Sequence, residues 1–196
     1  YTATGICTNV GSNYTVTSGT GVCTVQYNQA GDANYNPAPQ VTNTTNAQKA
    51  NQTINVTTPA PAAAAYGSNF AVSANSSSGL AVVYSSVGSC TNAGPTYNMT
   101  LPTGTCTVQF NQPGDANYNA ASQVTQSVNA QKANQTITVT TSAPVNATFG
   151  STFTVAATAS SGLAVTYSSV GSCTNVGADF TVTSSSGSCT VLYNQA

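Results

Sequence analysis

Six cysteines carry most of the chemistry available to this chain of 196 residues. They form three pairs of one spacing, Cys7 with Cys23, Cys90 with Cys106 and Cys173 with Cys189, each 16 positions apart. An even count, a recurring pair and no histidine favour disulfides, since a structural zinc site wants four ligands at tighter spacing. The later cysteine of the middle pair is in phase with Val108 and Phe110, and the earlier one ends the strand that follows Tyr84. A bridge there pins two strand ends beside the core. A loop of this length stabilises by about 3 kcal/mol in the chain-entropy account, and oxidised cysteines imply an extracellular, cell-surface or secreted protein.

The remaining reactive groups are few. Two Lys and three Asp are the whole charged inventory, while Ser, Thr, Asn and Gln make up 89 of the 196 residues. General acid–base chemistry and nucleophilic triads draw on His and Glu, both absent here, so the chain reads as no enzyme and no cofactor is expected. Two lysines cannot neutralise a nucleic-acid backbone, and no apolar run reaches the roughly 18 residues of a membrane span. The repeated Asp-Ala-Asn-Tyr-Asn, 32–36 and 115–119, begins like a calcium loop. It lacks the glycine and the bidentate glutamate of such a loop and reads as an Asx turn with its tyrosine packed inward, so no metal is expected. Lys49, Asn51, Lys132 and Asn134 mark junctions. A Lys–Asn isopeptide bond would need a buried carboxylate beside the amine, with Asp32 and Asp115 as the candidates; an exposed lysine that bonds the adjacent repeat or blunts an edge strand is the preferred reading. Sequons such as Asn13-Tyr-Thr15 and Asn98-Met-Thr100, and the Thr-x-Thr runs, follow from composition and strand propensity.

What positions these groups is a repeat. Asn46 to Thr53 reads NAQKANQT, and Asn129 to Thr136 reads the same, a shift of 83 that every cysteine also obeys. Residues 51–113 laid over 134–196 match at 38 of 63 positions without a gap. A fixed period of this length suits a bead-like domain rather than a solenoid turn. The chain therefore divides into 1–50, the C-terminal part of a repeat, 51–133, a complete repeat, and 134–196, the N-terminal part of a third. It is expected to be a window of a longer array, with completion of the partial ends between neighbouring subunits as the alternative.

Within 51–133 apolar residues alternate with polar ones over short runs, the period of a half-buried strand. The runs are Ile54 and Val56; Phe70, Val72 and Ala74; Leu80, Val82 and Tyr84; Tyr97, Met99 and Leu101; Cys106, Val108 and Phe110; Val124 and Val128. Turn formers separate them, which predicts six or seven strands in an antiparallel two-sheet sandwich, with Ala60 to Ala65 as a loop.

The succession Ser77 to Ser86, the paired cysteines and Gly114 to Asn119 resembles the tandem bacterial immunoglobulin-like domains of large secreted and cell-surface proteins. The resemblance implies all-β, tandem Ig-like sandwiches, each with one disulfide, serving as a stiff stalk, an adhesin or an extracellular filament. Partners would be further copies of the chain, or surface glycans and proteins. A carbohydrate-binding array is the alternative, with Tyr66, Tyr84, Tyr97 and Tyr118 as stacking platforms. The absence of tryptophan and the inward phase of Tyr84 and Tyr97 weigh against it.

Overall fold

The structure is a computed structural model that describes residues 1–195. Among them there is no helix, and the chain forms two compact units, Tyr1–Ala133 and Asn134–Ala196. The break falls within the second NAQKANQT octapeptide, whereas residues 1–50 are grouped with 51–133.

The first unit begins with β1 (Thr2–Gly5), β2 (Cys7–Val10), β3 (Asn13–Val16), β4 (Val22–Tyr27) and β5 (Val41–Asn46). Strands β1, β4 and β5 form one antiparallel sheet, and β2 pairs with β3. The complete repeat follows with β6 (Ile54–Thr58), β7 (Ala63–Ala65), β8 (Asn69–Ala71), β9 (Ser73–Ser76), β10 (Val83–Gly88), β11 (Cys90–Ala93), β12 (Thr96–Met99), β13 (Thr105–Asn111) and β14 (Val124–Gln131). Its sheets run β10-β13-β14-β7 and β11-β12-β8, with β6 paired to β9.

Alternation builds the core. Val108, Phe110 and Cys106 of β13 and Val128 of β14 come from one sheet, and they meet Cys90, Tyr97 and Met99 of the other. Phe110, Tyr97, Val108, Val128 and Cys106 are fully buried, and rings stack where Phe70 faces Tyr97 at 5.3 Å. Removing Phe110 by substitution with alanine is expected to cost about 3–5 kcal/mol, read as a lower denaturation midpoint.

Three details differ from the sequence reading. The repeat holds nine strands rather than six or seven, because two runs are interrupted: β8 and β9 part at Val72, β10 and β11 at Ser89. Leu80 and Val82 lie in the connection before β10, and Leu101 is 51% exposed beyond the end of β12, so alternation there does not mark a strand. Ala63–Ala65 is a strand, not loop: it pairs parallel with Asn129–Gln131, and Pro61 lies outside that ladder, where its missing N–H costs nothing.

The second unit contains β15 (Ile137–Thr141), β16 (Thr152–Thr154), β17 (Ala156–Ala159), β18 (Thr166–Gly171), β19 (Cys173–Val176), β20 (Asp179–Val182) and β21 (Cys189–Asn194). Its packing repeats the first at the 83-residue shift. Phe153 stacks on Phe180 at 5.5 Å as Phe70 does on Tyr97, and Tyr167 meets Tyr193 edge-on at 5.8 Å as Tyr84 meets Phe110 at 5.7 Å.

That shift yields a mild substitution. The Tyr97 hydroxyl donates to the Ser85 carbonyl at 3.0 Å, and phenylalanine already stands at the corresponding Phe180. Tyr97→Phe is expected to cost only about 1 kcal/mol. Burial raises the pKa of Tyr97 above its ordinary 10.0. The folded state therefore resists ionisation that the unfolded chain undergoes near that value. Stability is expected to be undiminished by this group below pH 10.0 and to fall as pH rises beyond it. Alkaline melts of wild type and Tyr97→Phe check this, since the variant should lose part of the decline.

Candidate functional site

The six predicted cysteines form three disulfides, Cys7–Cys23, Cys90–Cys106 and Cys173–Cys189, with Cα separations of 5.3, 5.2 and 5.2 Å. No cysteine is free. In the complete repeat, Cys90 opens β11 in one sheet and Cys106 lies on β13 in the other, so the bridge joins the two sheets. This refines the expectation that the earlier cysteine ends a strand. The chain leaves the first sheet at Gly88, turns at Ser89 and enters the second at Cys90.

That corner rests on residues the sequence reading passed over. Gly88 pairs with Cys106 and has φ of +93°, and a Cβ there would lie 2.1 Å from the Thr105 carbonyl oxygen. Ser89 is buried; its N–H donates to the Thr105 carbonyl at 3.0 Å and its hydroxyl to the Thr103 carbonyl at 2.8 Å. Ser172 repeats both bonds onto Ser188 and Ser186. Gly-x-Cys recurs at 5–7, 88–90 and 171–173, and that was the signal to read.

The second cluster is the joint between residues 1–50 and the complete repeat, both within the first unit. Asp115 and Asp32 close equivalent turns: the Asp115 carboxylate accepts from the amides of Asn117 and Tyr118 at 2.7 and 2.8 Å, and Asp32 does the same for Asn34 and Tyr35 at 2.8 and 3.0 Å. The carboxylates are thus occupied by backbone, the Asx turn that was expected. Tyr118 is half-buried, but Tyr35 is 75% exposed and does not pack inward as expected. The partial repeat provides no strand across that turn, whereas Ala50 forms a parallel bridge to Tyr118.

Around this bridge the junction is held from several sides. The Ala50 amide donates to the Asn117 carbonyl, and the Asn119 amide donates to the Ala50 carbonyl, both at 2.8 Å. The Lys49 ammonium donates to the Asp115 backbone carbonyl at 2.5 Å, so it meets that residue's main chain rather than its carboxylate. The Asn119 amide group donates to the Asn51 side-chain oxygen at 2.9 Å. The buried Gln52 donates to Gln112 and to the Asn119 carbonyl, and it accepts from Ser78. Lys132 and Asn134 lie at the boundary between the two units, with Asn134 opening the second. Gln135 reproduces the buried pair's role, donating to Gln195 and accepting from Ser161.

Buried amides this interdependent give a clear expectation. Gln52→Ala strands polar atoms of Gln112 and should cost about 2 kcal/mol, whereas the double change of Gln52 and Gln112 to leucine should cost less than the single one. Urea titration of the full chain measures both.

A shallow cleft of about 370 Å³ lies over the joint, and its lining includes Thr17, Ser18, Gln48 and Tyr118. The four tyrosines named as platforms are not brought together for stacking. Tyr97 is fully buried, the Tyr84 hydroxyl accepts from the Ala74 amide at 3.1 Å, and only Tyr66 is largely exposed. Among the described residues no group of three or more His, Cys, Asp or Glu could hold a metal, and no helix is long and apolar enough to cross a membrane. Set against protein-family models, curated proteins and solved structures, the chain finds no match.

Proposed function

We propose that this chain is a segment of tandem immunoglobulin-like sandwiches whose role is structural and adhesive: a stiff extracellular stalk, adhesin or filament without catalytic activity. The observation that carries the proposal is the joint. Residues 1–50 and the following repeat share one compact unit through an octapeptide with no glycine or proline, held by hydrogen bonds from both ends. A flexible linker would have neither that composition nor those bonds.

Other features support the reading. The two larger sheets of the complete repeat, β10-β13-β14-β7 and β11-β12-β8, contribute the side chains of one shared core, which supports the reading of a two-layer sandwich. Three bridges suit an oxidising compartment. A surface with five charged residues in 196 allows copies to lie side by side without repulsion. Small-angle scattering and negative-stain microscopy test the proposal. Rod-like particles or filaments of regular width are expected, while a flexible, bead-on-string profile rejects it. Specific, saturable binding on a glycan array would instead favour the carbohydrate-binding alternative.

A further inference from the structure

Gly19 lies in the connection between β3 and β4, is buried, and donates its N–H to the Asn117 side-chain oxygen at 2.8 Å across the joint. A Cβ on Gly19 would come within 2.6 Å of the Asn117 Cα and 2.7 Å of the Ala116 carbonyl oxygen. These are backbone atoms of the turn that clasps Ala50, so they cannot swing aside as a side chain would. The joint closes because residue 19 offers an N–H and no side chain.

One period further along, the position of Gly19 is taken by Pro102, and two periods along by Ser185. Proline has no N–H to donate and carries a ring where Gly19 presents only hydrogen. The octapeptide NAQKANQT is nevertheless identical at both junctions. From this we infer that Gly19 is the latch of the joint. The octapeptide alone does not close this joint: residue 19 must also offer an N–H and no side chain to the turn at Asn117. The inference rests on the geometry around Asn117 and holds whether or not the chain is a stalk.

The chain supplies its own probe. With no arginine and only Lys49 and Lys132, trypsin has two sites, one at each junction, in the same eight-residue context. Cleavage at Lys132 is therefore an internal reference for cleavage at Lys49. In the intact, oxidised full chain, Gly19→Pro and Gly19→Ala are expected to raise cleavage at Lys49 relative to Lys132 by about tenfold, because cleavage follows the population of the opened joint. The amides of Ala50 and Asn119 should lose exchange protection in parallel, with the β1–β4 amides unchanged. Asn117→Ala removes the acceptor without touching residues 1–50 and should act in the same direction. If a Gly19 variant also exposes the β1–β4 amides, Asn117→Ala decides the matter. Wild-type cleavage at Lys49 and wild-type protection of Ala50 in Asn117→Ala, or in a Gly19 variant that keeps its β1–β4 amides, would overturn the latch.

Discussion

Gly88→Ala is expected to destabilise the complete repeat by about 4 kcal/mol. Two costs combine. A non-glycine residue at φ of +93° costs about 1–2 kcal/mol. The new Cβ would also sit 2.1 Å from the Thr105 carbonyl oxygen, at the last pair of the β10–β13 ladder, and forcing the strand ends apart beside the bridge adds about 2–3 kcal/mol. Gly79→Ala separates the two terms. Gly79 has φ of +80° with nothing within 4 Å of its Cβ position, so only the conformational cost of about 1 kcal/mol applies. Hydrogen exchange of the β10 and β13 amides should show faster opening in Gly88→Ala and near-normal protection in Gly79→Ala. Equal effects of the two would mean that the close approach to Thr105 contributes nothing.

Replacing Cys90 and Cys106 together with alanine is expected to cost about 3 kcal/mol from loop entropy alone. The loss grows with the apolar contact that the buried sulfurs make with the core. Cys106 is fully buried and Cys90 is 5% exposed, so a reductant should reach this bridge only after the repeat opens. Thiol labelling of the native chain should find no reactive cysteine, and hours of incubation with reductant at a temperature where the repeat stays folded, followed by removal of the reductant, should leave its melting temperature unchanged. A rapid fall on adding reductant would show that the corner opens locally. The single variant Cys90→Ala should cost no more than the double, because it loses the same loop constraint but keeps the buried Cys106 sulfur against the core.

Much of this was legible from residues alone. The 83-residue shift, the all-β character and the cysteine pairs follow from patterns that repeat, and repetition turns weak local signals into firm ones. The faces named by Cys106, Val108 and Phe110 and by Tyr97 and Met99 point inward as alternation requires. What escaped has a common cause: it depends on what lies opposite. Alternation reports that a residue faces a core, but not that the strand changes sheets at Ser89, since the period of two runs through the corner with only a glycine to mark it. Leu80 and Leu101 kept the phase of a strand although no neighbour pairs with them. Ala63–Ala65 follows Pro59 and Pro61 and reads as loop, yet a parallel edge position on β14 accepts three residues. The joint was the least legible, because its partners are 66 to 98 positions apart and its decisive residue, Gly19, works by lacking a side chain.

The corner at Gly88 and Cys90 also sets how far the chain can be drawn out. When the ends of the complete repeat are pulled, the path from β10 crosses the bridge to β13 and bypasses the hairpin of β11 and β12. The bypassed segment spans 16 positions in sequence but 5.2 Å between Cα atoms. Fully extended it would add about 50 Å to each repeat. While the bridge is oxidised that length stays hidden, so every repeat carries a covalent stop that shortens its yield under tension.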